Sequence, residues 1–126
     1  WMPAWDDDDE LTEDPQSEIS LIYYPNKEGL EDRIYRIKTE RSGASSMPEP
    51  RTTHFTSNLE ILSQDESEVK LRFNWLTKAY RYKKTAEFFG TSFYTLDITG
   101  EQPLIREKRL VLNNDCINQV LDVYHL

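Results

Sequence analysis

Val69, Leu71, Phe73 and Trp75 alternate with Lys70, Arg72 and Asn74, and this period of two constrains the chain more than any other feature. Side chains that alternate in this way lie on opposite faces of a strand, so the segment belongs to a sheet with one buried face and one wetter face. Such a sheet is antiparallel and needs further strands beside it. The following sequence provides candidates. Tyr80 to Ile98 reads as one long strand with Gly90 as a bulge or bend, Thr99-Gly-Glu-Gln-Pro103 as a hairpin turn, and Leu104 to Leu112 as the returning strand. Upstream, Phe55, Leu59 and Ile61 are expected on one face of a strand, with His54, Thr56, Asn58 and Glu60 on the other. Asn113-Asn-Asp115 breaks the ladder, and Ile117 to Leu126 closes the chain as a last strand or a helical turn.

Before residue 51 the pattern differs. Ile19 to Tyr24 is a short β-favouring run stopped by Pro25, and Asn26 is placed to N-cap a helix carrying Leu30, Ile34 and Ile37 at helical spacing. That helix should end near Arg41-Ser-Gly43 and bury its three aliphatic side chains, at about 1.5–3 kcal/mol each before entropy. Strand, helix and then a run of antiparallel strands make an α+β chain, with a curved sheet of about six strands packed on few helices. At 126 residues this is a single domain spanning 1–126.

Composition narrows the chemistry. Eight of the 23 acidic residues, and none of the 15 basic ones, fall within residues 1–20, so acidity belongs to one segment. The remainder has no net positive field of the kind nucleic acid demands, and no apolar run approaches the ~18 residues of a membrane span. The single cysteine, Cys116, excludes an internal disulfide framework and reads as a small buried hydrophobe; with no export signal, a cytoplasmic location is expected. The Asp6 to Asp9 run reads as a solvated loop or a partner contact, since it lacks the alternation and glycine of a Ca²⁺ loop. His54 reads as a partly buried, hydrogen-bonded residue, and Arg51 as paired locally or reaching a neighbouring subunit. Lys78, Arg81, Lys83 and Lys84 form a solvated or subunit-facing basic strand.

Five segments in order carry a resemblance: Trp1-Met-Pro-Ala-Trp-Asp-Asp-Asp-Asp-Glu10, Ile19-Ser-Leu-Ile-Tyr-Tyr-Pro-Asn26, Leu30-Glu-Asp-Arg-Ile-Tyr-Arg-Ile-Lys38, Arg51-Thr-Thr-His54 with Ser57-Asn58, and Phe88-Phe-Gly90. Together they resemble the small (beta) subunit of bacterial aromatic-ring-hydroxylating dioxygenases, nearest the branch acting on benzoate, anthranilate and toluate. Phe55 departs from the pattern, where the family often has Asn.

The resemblance implies a cone-shaped, cystatin-like fold of the nuclear transport factor two type, and an assembly of three large and three small subunits. It implies that the large subunit carries a Rieske iron–sulfur cluster and a mononuclear iron and is fed electrons by an NADH-dependent reductase. The small subunit would be non-catalytic and hold no cofactor or metal. One Cys and two His cannot ligate a Rieske cluster in any case. Trp5, Asp7, Arg51, His54 and Arg81 are the residues expected at subunit interfaces. The family also begins with helical residues before the Trp-Met-Pro stretch, so a helical segment is expected upstream of Trp1.

Two other uses of this fold need their own residues. A stand-alone isomerase or dehydratase would need His54 beside Asp97 or Glu87. An apolar-ligand carrier would need a cavity among Phe73, Trp75, Phe88 and Tyr94.

Overall fold

A computed structural model describes residues 1–39, 48–114, 117 and 119–126. The expectations for Cys116, for Gly43 and for most of the loop before Arg51 lie outside the described residues.

The elements are β1 (Met2–Pro3), β2 (Ser20–Ile22), α1 (Lys27–Lys38), β3 (Arg51–Gln64), β4 (Glu68–Arg81), β5 (Lys84–Asp97), β6 (Leu104–Leu112) and a 3₁₀ turn at Val123–His125. The chain is α+β, with a four-stranded antiparallel sheet in the order β3-β4-β5-β6. The expected single sheet of six is instead divided, because β1 and β2 pair only with each other. Pro3 has no N–H to continue a ladder, which keeps β1 to two residues. The N-terminus nevertheless lies along β6: the Trp1 amine donates to the Lys108 carbonyl, and the Leu110 N–H donates to the Trp1 carbonyl.

The expected strand from Tyr80 to Ile98 is interrupted by a two-residue hairpin at Tyr82 and Lys83, whose φ values of 51° and 62° are both left-handed. Asn-Gly is the usual signal for that turn. Here two residues with β-carbons adopt it at about 1–2 kcal/mol apiece, so nothing in the sequence announced it. Gly90 marks neither a bulge nor a bend, since the β4–β5 register runs unbroken through it. A β-carbon there would collide with the Val111 carbonyl on β6, so glycine permits close backbone approach.

Bulges lie instead in β3, between Ser57 and Glu60 and again between Ile61 and Ser63, and in β6 between Ile105 and Glu107. Ser57 pairs with Asn74 but Glu60 with Arg72, so one residue is extra, and Asn58 takes φ 55° to accommodate it. Pairing then reverses the expected faces. Phe55 sits opposite Leu76 and Ile61 opposite Leu71, five positions apart on an unbroken β4, so the two lie on opposite faces of the sheet.

The core forms on one face from Trp75, Ala79, Phe88, Leu110 and Leu112, closed by Met2 from β1. Ile117, Leu121 and Leu126 pack against it. The helix does not contribute as expected. Asn26 does cap it, accepting from the Glu28 N–H at 3.0 Å, but it ends at Lys38 with the Thr39 hydroxyl donating to the Arg36 carbonyl. Leu30 and Ile34 remain 41% and 47% exposed, and no helical residue is fully buried. A polar link ties α1 to the rest: Arg33 Nε donates to Asp122 Oδ1 at 2.8 Å.

Candidate functional site

The residues expected at interfaces do not converge. Trp5 lies beyond β1, its indole N–H donating to the Leu112 carbonyl at 2.7 Å while 43% of the residue stays exposed. Asp7 is in the exposed acidic turn, where Asp6 Oδ1 accepts from the Asp8 and Glu10 N–H groups. In the same loop Asp14 accepts from Gln16 N–H and the Ser17 hydroxyl, which holds its carboxyl below the usual range. Acids consumed in shaping their own loop suit the solvated-loop reading.

Arg51 and His54 are on β3, at the opposite edge of the sheet from Trp5. His54 is hydrogen-bonded as expected, Nδ1 to Thr77 Oγ1 at 3.0 Å, but it is exposed rather than partly buried, because an edge strand offers its ring nothing to lie under. Arg51 is exposed too, and its side chain makes no ion pair with the described residues; its expected local pairing lies partly with residues outside the described ones. Arg81, at the last position of β4, is half-buried, its Nε donating to the Pro48 carbonyl at 2.9 Å. The basic cluster is no single stripe: Lys78 pairs with Glu87 at 2.9 Å on the face opposite the core, while Arg81 shares the core face with Ala79.

These positions decide the two other uses. Glu87 is committed to Lys78 on the wrong face, and Asp97 is at the far end of the sheet, paired with Arg106 at 2.7 Å and bonded by Thr99. Those Thr99 bonds, with Arg106, hold the Asp97 carboxyl down to about 2. Neither carboxylate reaches His54. Glu60 is opposite Arg72 and so faces away from His54 as well. Phe73, Trp75, Phe88 and Tyr94 do share a face, yet Trp75 and Phe88 are packed into the core. Phe73 meets Tyr94 edge-on, with ring centroids 5.0 Å apart.

One cluster escaped the sequence reading. Asp122, fully buried, caps the last turn by accepting from the Val123 N–H, while its own N–H donates to His125 Nδ1 at 3.0 Å. His125, only 3% exposed, lies against the Phe88 ring with centroids 4.7 Å apart. Burial lowers its pKa to about 4, so the imidazole is neutral and its proton sits on Nε2. Arg33 completes the group; the buried carboxylate that its guanidinium contacts pushes its pKa up further. The signal was present as Asp-x-x-His, a capping-box spacing, but it ends at the penultimate residue of the sequence, where fraying is the ordinary expectation. Among the described residues no group of three or more His, Cys, Asp or Glu side chains is placed to hold a metal ion.

Comparison with known proteins accounts for the chain as a whole. Residues 1–119 match the family described as "Ring hydroxylating beta subunit". The chain is 63% identical over its whole length to the toluate 1,2-dioxygenase subunit beta of Pseudomonas putida, covering 77% of that protein. It is 58% identical to the benzoate 1,2-dioxygenase subunit beta of Acinetobacter baylyi, again over its whole length and 74% of the relative. The crystal structure of the benzoate 1,2-dioxygenase beta subunit from Burkholderia mallei superposes with a TM-score of 0.80 at 48% identity, over all of this chain and 74% of that one. The chain therefore belongs to the beta subunits of aromatic-ring-hydroxylating dioxygenases.

Proposed function

We propose that this chain is the non-catalytic small subunit of a dioxygenase that dihydroxylates an aromatic carboxylate of the benzoate or toluate type. The observation that carries this reading is whole-length similarity to toluate and benzoate dioxygenase beta subunits. In this reading the large subunit holds the Rieske cluster and mononuclear iron and receives electrons from an NADH-dependent reductase. The domain has the cone-shaped, cystatin-like fold, and it works in the cytoplasm within a complex of three large and three small subunits.

The small subunit's work is then mechanical. A rigid sheet whose β3 edge pairs with no further strand among the described residues presents a long surface that keeps large subunits in register, so that the cluster of one lies within electron-transfer reach of the iron in its neighbour. Trp5, Asp7, Arg51 and His54 are the proposed contacts. Arg81, whose Nε donates to the Pro48 carbonyl, is proposed as a further contact.

Co-expression with the large subunit tests this. The two chains should co-purify in a fixed ratio, and Arg51→Ala or His54→Ala should lower the yield of complex while leaving turnover per assembled complex within a few-fold. A fully assembled variant that lost turnover by orders of magnitude would reopen a direct chemical role.

A further inference from the structure

We infer that the sheet face turned away from the core carries a docking notch, built by Phe55, Leu76 and Phe89, for an apolar side chain of the large subunit. The inference rests on the assembly proposed above and assigns it a surface.

The notch follows from register. Leu76 on β4 lies opposite Phe55 on β3 and Phe89 on β5, so the three form one row across the sheet. Leu76 and Phe89 alternate with Trp75 and Phe88 of the core, so the row points the other way. Its two rings stand about 10 Å apart, twice the strand spacing, with the shorter, half-buried leucine between them. Phe55 is 51% and Phe89 44% exposed. Apolar side chains exposed singly are ordinary, whereas a contiguous row rimmed by polar residues is the mark of an interaction surface. The β5 side is also held in place: beyond the last β6 pair, Asn114 accepts from the Phe89 N–H at 3.0 Å and donates to the Glu87 carbonyl at 2.9 Å. A notch formed in advance loses little freedom on binding.

Charge identifies the occupant. In the next row Lys78 and Glu87 neutralise each other at 2.9 Å. Arg51 shares the same face, about 13 Å along β3 from Phe55, and makes no ion pair with the described residues. The surplus charge beside the notch is therefore positive. A second copy packed face to face would bring another notch and another arginine, which complement neither. The large subunit is the partner that membership of this family implies, and it can supply both missing parts. These are a protruding aliphatic or aromatic side chain for the notch and a carboxylate for Arg51.

Competition within the complex tests this. The large subunit is co-expressed with equal amounts of the wild-type small subunit and a variant, and mass spectrometry of the purified complex gives the share of each. Phe55→Ser, Phe89→Ser and Arg51→Glu should each lower the variant's share, the phenylalanine changes by about tenfold. Ile105→Ser should compete equally, because Ile105 is 58% exposed but lies opposite Leu96 on the core side. Melting temperatures of the variant small subunits should stay within a few degrees of wild type. A fall of about ten degrees or more in both phenylalanine variants would mean that this chain itself covers the notch. Equal shares for Phe55→Ser and Phe89→Ser would overturn the notch and leave the assembly standing, whereas a wild-type chain that never co-purifies with the large subunit would overturn both. Sedimentation of the small subunit alone gives the remaining outcome: a dimer that Phe55→Ser dissolves would assign the notch to a second copy instead.

Discussion

The two edges of the four-stranded sheet have opposite treatment. Along β6, Trp1 continues the hydrogen bonding on the outer side, and Met2 fills the core beside Leu110 and Leu112. Beyond the last ladder pair, Asn114 fastens onto β5, its amide accepting from the Phe89 N–H and donating to the Glu87 carbonyl. Along β3, every residue except Thr52 is exposed, Phe55, Leu59, Ile61 and Leu62 among them. A fourteen-residue edge strand that exposes four large apolar side chains and carries no proline or lysine is what free-standing proteins avoid. The buried core therefore draws on β4, β5 and β6 with Met2, and β3 contributes no buried side chain to it.

The largest expected effect comes from Gly90, where the closed side has no slack. Gly90→Ala drives a β-carbon into the Val111 carbonyl, and backbone cannot swing aside as a side chain can. A loss of about 3 kcal/mol or more is expected by chemical denaturation, at the upper end of overpacking penalties. A loss below 1 kcal/mol would show that β5 and β6 can separate freely, and the contrast between the edges would weaken.

His125 gives the next effect, and it depends on pH. Its folded pKa is depressed to about 4 against 6.5 in the unfolded chain. Between those values the unfolded state holds the extra proton, so stability falls as pH drops from about 6.5 toward 4, by at most about 3 kcal/mol. His125→Gln removes the titration, and the pH slope over that window should flatten. Equal slopes in the two proteins would place the acid sensitivity elsewhere.

How much of this was legible in the sequence follows the same division. Strands whose pattern reports the core read correctly: β4 and β6 emerged from alternation and from the Thr99–Pro103 turn, and Asn26 announced the helix start. What failed was set by backbone geometry without a residue signature. The Tyr82-Lys83 turn lacks the Asn-Gly that marks its type, and the register shifts at Asn58 and again between Ile61 and Ser63 exchange the faces of β3 at exposed positions. The helix misled for another reason: an amphipathic stripe states that something should cover it, not what. As for function, the family was legible from five ordered segments, while the Arg33–Asp122–His125 cluster required three-dimensional proximity across almost ninety positions.

The hairpin turn offers a gain rather than a loss. Lys83→Gly replaces a left-handed residue carrying a β-carbon by one that adopts φ near 60° without penalty. Against a larger unfolded-state entropy for glycine, about 1 kcal/mol of stabilisation is expected, measured as a higher denaturation midpoint. No gain would mean that β4 and β5 already enforce the turn without strain.

The smallest effect on stability is the one that bears most on the open edge. Leu59 is 69% exposed and flanks the Asn58 bulge, so its side chain contributes little to the fold of this chain. Leu59→Lys should change stability by no more than about 0.5 kcal/mol, as for surface positions generally. Lysine on an edge strand opposes the addition of another strand, because pairing would bury its charge or force the side chain aside. If β3 is where the sheet meets its partner, the same substitution should reduce complex formation with the large subunit at unchanged stability. The paired measurement separates the two roles. Destabilisation by 2 kcal/mol or more would mean that Leu59 packs within the chain, and undiminished assembly would move the partner to another surface.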